Sequence, residues 1–234
     1  MNFHKAPTLE RLSPLLNGLG PFQRYAIWVG NGILDVYLTD QAACGWRVPR
    51  EAAFLLQLPS LMERYRWEEI LKELGWQRLG MTETGFTRYS FKAHTALIST
   101  WPGEALNGRD RWYEDACFHC ERILGNNGSE LSVFSPLYLL ATTLDSLPPR
   151  EADLRYSESF ARIAYLFAGR PELVEEIKKG FYEVRQHIQR ELGLLLSHPD
   201  LEEALIHVLP QEEWYLSEVV IARMKEVSTS MVFS

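Results

Sequence analysis

The chain lacks any apolar run approaching the roughly 18 residues a membrane-spanning helix needs. Its first residues, Met1-Asn2-Phe3-His4-Lys5-Ala6-Pro7, contain no apolar segment of the secretory kind. Both absences lead us to expect a soluble, cytoplasmic protein without a membrane partner. Positive charge is also scarce: 24 Lys and Arg stand against 31 Asp and Glu, a formal net charge of −7. That balance argues against a dominant, sequence-independent grip on nucleic acid, which needs clustered cations, but leaves room for a local basic patch. Three cysteines are too few, and odd in number, for a disulfide framework. Gly-x-Ser-x-Gly, Walker-type and dinucleotide fingerprints are missing as well. The six histidines are scattered, and we read them as surface or capping residues with no histidine-based catalysis.

Apolar mass is what the chain has in quantity. Hydrophobic residues make up 46% and aromatics 12%, seven of them Trp, enough for one sizeable core with an appended subdomain. Leu9, Leu12, Leu15, Leu16 and Leu19 share one helical face, with Thr8 as N-cap and a stop at Gly18 to Pro21. The β-prone run Arg24 to Val29 leads into Gly30-Asn31-Gly32 and then a short helix, Ile33 to Leu38. A second strand spans Ala52 to Leu58, and Pro59-Ser60 opens a helix to Leu74 with Leu61, Tyr65, Ile70, Leu71 and Leu74 turned inward. Phe86 to Phe91 and His94 to Thr100 form a hairpin about Lys92-Ala93, a helix begins near Arg109, and Glu130 to Phe134 is a strand. Beyond Ser135 the pattern is helical: a helix opened by Pro136, then others at about 156–168, 171–195, 199–208 and 211–227. Early strands and late helices predict an α+β fold, divided at the proline-containing break into residues 1–147 and 148–234. Cys117-Phe118-His119-Cys120 reads either as half of a metal or redox site or as two small apolar residues on one side of a helix; no second ligand pair completes a zinc site.

Several phrases, in order, resemble the minimal nucleotidyltransferases of the abortive-infection toxin group (AbiEii-type, MenT-like), over about residues 10–225. Trp28-Val29-Gly30-Asn31-Gly32 is similar to the family's strand and small-residue turn, where backbone N–H groups cradle a phosphate. Arg47-Val48-Pro49-Arg50-Glu51-Ala52-Ala53 occupies the place of the basic segment and Asp-x-Asp strand that hold the metal ions. His94 to Thr100, followed by Arg111-Trp112-Tyr113, is similar to the strand carrying the third carboxylate, which aligns with Leu97. Ser135-Pro136-Leu137-Tyr138 begins a helix whose phosphate-reaching lysine corresponds to Thr143. Tyr156 to Ile163 then carries Ser159 and Arg162 where the family has acids, and Gly169-Arg170-Pro171 continues the match.

The resemblance implies a nucleotidyltransferase-like mixed sheet flanked by helices, with a helical C-terminal region. It also implies that the chemistry is degenerate: Glu51 is the one remaining acid, while Ala53 and Leu97 have no oxygen to offer. Gly30, Asn31, Gly32, Arg47 and Arg50 would be the remnant of a nucleotide site. The expectation is a catalytically inactive binding, regulatory or scaffold protein of a toxin–antitoxin or phage-defence setting, without metal or other cofactor. Its partners would be protein, with nucleotide or RNA as further possibilities. The alternative is an active transferase using Mg²⁺ and a nucleoside triphosphate, with Glu51 assisted by Asp35 or Glu104. An antitoxin-like subunit is a third reading, resting on Trp214, Tyr215, Val219, Val220 and Met224 at helical spacing.

Overall fold

The computed structural model of the chain describes residues 7–40, 51–82, 85–101, 111–124, 130–149, 152–210, 213 and 215–230. Arg47, Arg50, Glu104 and Trp214 lie outside these, as does Cys44. Two compact units emerge: Met1–Val36 with Val48–Ser135, and Tyr37–Arg47 with Pro136–Ser234.

All the strands described belong to the first unit. They are β1 (Ala26–Val29), β2 (Ala52–Gln57), β3 (Gln77–Met81), β4 (Thr87–Phe91), β5 (His94–Trp101), β6 (Cys120–Leu124) and β7 (Glu130–Phe134). They form one seven-stranded sheet in the order β3-β4-β5-β2-β1-β7-β6. The sheet is mixed: β2 is parallel to β5 and β1 to β7, whereas the other neighbours run antiparallel. All of β1 (Ala-Ile-Trp-Val) is buried, as expected of a strand deep in a sheet. Helices α1 (Pro7–Gly18), α3 (Leu61–Glu73) and α4 (Tyr113–Phe118) belong to the same unit, while α2 (Leu34–Tyr37) follows the turn after β1. The α+β class expected from the order of elements is therefore the class observed.

Aromatic packing locks the β3–β5 end of the sheet. Trp76 stacks on Phe91 with ring centroids 4.9 Å apart, and its indole N–H donates to the Gly18 carbonyl at 2.8 Å. Tyr89 meets both Trp67 and Trp76 edge-on, and burial together with the neighbouring Glu68 carboxylate pushes its phenol well above the usual range. Helix α3 departs from its expected orientation. Of the described side chains on its predicted inward face, Leu71 alone is fully buried; Tyr65 is 81% exposed and Leu74 also reaches solvent. Its N-terminus is as anticipated, with the Ser60 hydroxyl accepting from the Glu63 amide. Thr8, expected to cap α1, instead lies within that helix, which starts at Pro7.

The second unit is helical: α5 (Pro136–Asp145), α6 (Glu158–Gly169), α7 (Leu173–Lys179), α8 (Tyr182–Leu196), α9 (Leu201–Val208) and α10 (Leu216–Thr229). Helix α5 is apolar on nearly every side, and it packs against α6, α7 and α8. The division between units therefore falls before Pro136, whereas the sequence reading put it at the polar break after Leu147; an all-round apolar helix must join whatever surrounds it. The single helix expected over 171–195 is two. Gly180 is extended (φ −66, ψ 164) and ends α7, and a Cβ there would stand 2.7 Å from Leu137 Cδ2, so any side chain would have to displace that leucine.

Several buried polar groups in this unit have identifiable partners. Arg170, 4% exposed, forms a two-pronged pair with Glu176 at 2.6 and 2.8 Å and donates to the Tyr37 carbonyl at 3.1 Å. Arg223 donates to the Phe167 and Ala168 carbonyls near the end of α6, where unpaired backbone oxygens accumulate. His187 and His198 are buried rather than at the surface. His187 Nε2 lies 2.9 Å from Asp145 Oδ1, and His198 Nδ1 accepts from the Asp200 amide at 3.2 Å.

Candidate functional site

The positions singled out on β1, β2 and β5 come together in register. Val29 is paired with Ala53, Ala53 with Leu97, and Leu97 with Arg88 on β4, making one row across four adjacent strands. Strand alternation puts Glu51 and Ala53 on the same face, and the residues flanking them tell the two faces apart. Ala52, Phe54, Ala96 and Ile98 are buried, whereas Glu51, Ala53 and Leu97 are half-buried. The row thus runs from buried Val29 through half-buried Ala53 and Leu97 to exposed Arg88, at the C-terminal end of β1 and the N-terminal end of β2.

Gly30 closes β1 with φ +80, in the left-handed region. A Cβ on it would come within 3.3 Å of Ala53 Cβ, so both conformation and space favour glycine. Gly32 differs: its φ is not positive, and a Cβ would make ordinary contact with the Trp28 ring at 3.4 Å. The backbone of Asn31 opens the 3-10 turn Asn31–Ile33 directly after Gly30. Of the positions expected to form a nucleotide site, Gly30 is adjacent to Ala53, and the turn continues through Asn31 to Gly32.

Glu51 is committed to a cation. Its carboxylate accepts a hydrogen bond from Arg88 Nη2 at 3.1 Å, and Arg88 Nε lies 2.8 Å from its other oxygen. This pair was not evident in the sequence: Arg88 lies on a strand the alignment left out, and only the β4–β5 hairpin register carries it opposite Leu97. The donor set does not fit a two-metal site. Ala53 and Leu97 carry hydrocarbon where the resemblance calls for ligand oxygens, and Glu51 already neutralises a guanidinium. Among the described residues no three His, Cys, Asp or Glu side chains are grouped as metal ligands would be.

The helical unit brings together its own set of aligned positions. Arg162 donates to the Thr143 hydroxyl at 3.2 Å, and Thr143, fully buried, is also 2.6 Å from the Leu139 carbonyl. Ser159 and Ser146 hydroxyls are 3.0 Å apart. Where the resemblance leads one to expect lysine and acids, the residues present make part-buried hydroxyl–guanidinium and hydroxyl–hydroxyl contacts.

Cys117 and Cys120 are free thiols on different elements, α4 and β6, and not on one side of a helix as expected. Cys120 donates to the Ala116 carbonyl at 3.2 Å. Burial pushes both thiols up to about 12, for Cys117 with a further contribution from Cys120, which disfavours the thiolate that redox or metal chemistry would use. His119 between them has Nδ1 at 2.8 Å from the Asp115 carbonyl.

Among the described residues, no helix is long and apolar enough to cross a membrane. Comparison of the sequence with models of protein families and with functionally characterised proteins gives no match.

Proposed function

We propose that the chain is a nucleotidyltransferase-like protein whose transfer site has lost its carboxylates and which acts by binding, as a regulatory or scaffold subunit. The observation that supports this reading is the Val29–Ala53–Leu97–Arg88 row, with Gly30 closed against Ala53 and Glu51 paired to Arg88. Three positions chosen from separate phrases of sequence meet on one face, which is what the alignment requires of them. Phosphoryl transfer depends almost wholly on positioning and charge stabilisation by metal, and this face offers hydrocarbon in place of ligand oxygens. A half-buried apolar face at strand ends suits a protein contact better than a triphosphate. Free thiols at Cys117 and Cys120 are in keeping with a cytoplasmic location.

Isothermal calorimetry with each nucleoside triphosphate in the presence and absence of Mg²⁺ tests the reading, together with transfer of radiolabelled nucleotide to RNA or protein. The expected result is no Mg²⁺-dependent binding and no transfer. Metal-dependent nucleotide binding, or label transferred by the wild-type chain and not by Glu51→Gln, overturns it in favour of an active enzyme.

A further inference from the structure

A groove of about 560 Å³ runs between α9 and α10 in the helical unit. Its floor is hydrocarbon from Leu205, Leu209 and Ile221, and Ile206 stands at its lip 61% exposed. Three carboxylates, Glu202, Glu213 and Glu218, border it. Several other acids of the unit are held by cations. Glu175 and Glu226 share Lys178, Glu203 and Asp153 share Arg155, Glu176 holds Arg170, and Glu191 holds Arg190. Glu202, Glu213 and Glu218 form no ion pair among the described residues; the Tyr215 hydroxyl is on Glu213.

We propose that this groove docks a basic amphipathic helix from another protein. An apolar slot between two helices accepts side chains at i, i+3, i+4 and i+7 spacing, and a ring of uncompensated carboxylates selects lysines or arginines flanking that stripe. Desolvating three acids against an uncharged occupant would be unfavourable, so the rim sets the sign of the partner. The described α-helices of a second copy of this chain do not fit. No α-helix among the described residues is net positive: α3 has four acids against three bases, α4 is acidic, and α1, α6, α7, α8 and α10 are balanced. The groove lies wholly within the helical unit.

Fluorescence anisotropy on the full chain provides the test. The probe is a synthetic labelled Leu/Lys helix of about 18 residues with leucines on one face, compared with its Leu/Glu counterpart. The Leu/Lys helix is expected to bind with a Kd on the order of 10 μM, weakening with salt, and the Leu/Glu helix at least tenfold more weakly. Ile206→Glu, and separately the isosteric set Glu202→Gln, Glu213→Gln and Glu218→Gln, are each expected to weaken binding about tenfold with an unchanged circular dichroism spectrum. No binding of the Leu/Lys helix, equal binding of the two peptides, or binding indifferent to both sets of substitutions overturns the proposal. So does a wild-type dimer by light scattering that Ile206→Glu dissociates, since the groove would then hold a second copy.

Discussion

Placing acids at Ala53 and Leu97 probes the sheet register through the charge they would share. These residues are in-register neighbours on parallel β2 and β5, where strands lie about 4.8 Å apart and side chains on one face are parallel. Two aspartates there would set carboxylates roughly 4 to 5 Å apart, close to twice the Mg²⁺–oxygen distance of about 2.1 Å. Without metal their repulsion is on the order of 1 to 4 kcal/mol, between the bulk-water and near-surface limits. The Ala53→Asp/Leu97→Asp chain should therefore be less stable than wild type in chelator. If Mg²⁺ binds with Kd near 1 mM, about 10 mM Mg²⁺ restores about 1.4 kcal/mol by mass action. That amounts to roughly 3 to 6 °C in Tm for a chain of this size. Differential scanning fluorimetry with MgCl₂ against NaCl of equal ionic strength reads the shift, with wild type showing none. Arg88 opposes the effect, because it faces Leu97 across the hairpin and already holds Glu51. Adding Arg88→Ala should enlarge the Mg²⁺ response. A folded double variant with no Mg²⁺-specific rise, or a wild type that rises equally, refutes the reasoning that these positions form one cluster.

Other outcomes follow from single sites. Gly30→Ala should cost about 1 to 2 kcal/mol in denaturant unfolding, because φ +80 is strained for any Cβ, whereas Gly32→Ala should stay within about 1 kcal/mol of wild type. Glu176→Ala leaves the buried Arg170 guanidinium without its carboxylate and should destabilise by about 3 kcal/mol, measured by urea unfolding. In a Cys44→Ser background, alkylation of native Cys117 and Cys120 at pH 8 should be about a thousandfold slower than that of an unfolded thiol, since both are pushed up to about 12. Raised thiols also set the sign of a pH effect. The unfolded cysteines ionise first, so their contribution to stability is full below about pH 9 and falls as pH climbs toward 12, which a urea-midpoint series can follow.

Strands with one strongly apolar face or a continuous apolar run were legible from residues alone. β2, β7 and the β4–β5 hairpin, with Lys92 at φ 53 in its turn, lie within a residue or so of expectation. The two edge strands were not legible. β3 is Gln-Arg-Leu-Gly-Met and solvent-exposed throughout, so no burial pattern marks it and only pairing with β4 makes it a strand. β6 begins at Cys120, within a segment whose preceding residues read as helix. Tyr65 and Leu74 misled in the opposite sense: their spacing suits an inward face, but the register of α3 against the sheet leaves them in solvent. Spacing reports what a helix can bury, and the neighbour decides what it does bury. For the candidate site, the alignment named Glu51, Ala53 and Leu97, whereas Arg88 needed the hairpin register and Thr143–Arg162 needed the packing of α5 on α6.

The place of β1 has a consequence for how the protein is made. One side of it pairs with β2, close in sequence, but the other waits for β7, with Ile27 matched to Ser132 roughly a hundred residues later. At about 5 to 20 residues per second, that gap corresponds to roughly 5 to 20 s of synthesis during which an apolar strand edge has no native neighbour. The nascent chain, more than the finished one, is where a substitution in this region would cause aggregation. Slowing translation between β1 and β7 should lower soluble yield without changing the stability of the molecules that fold.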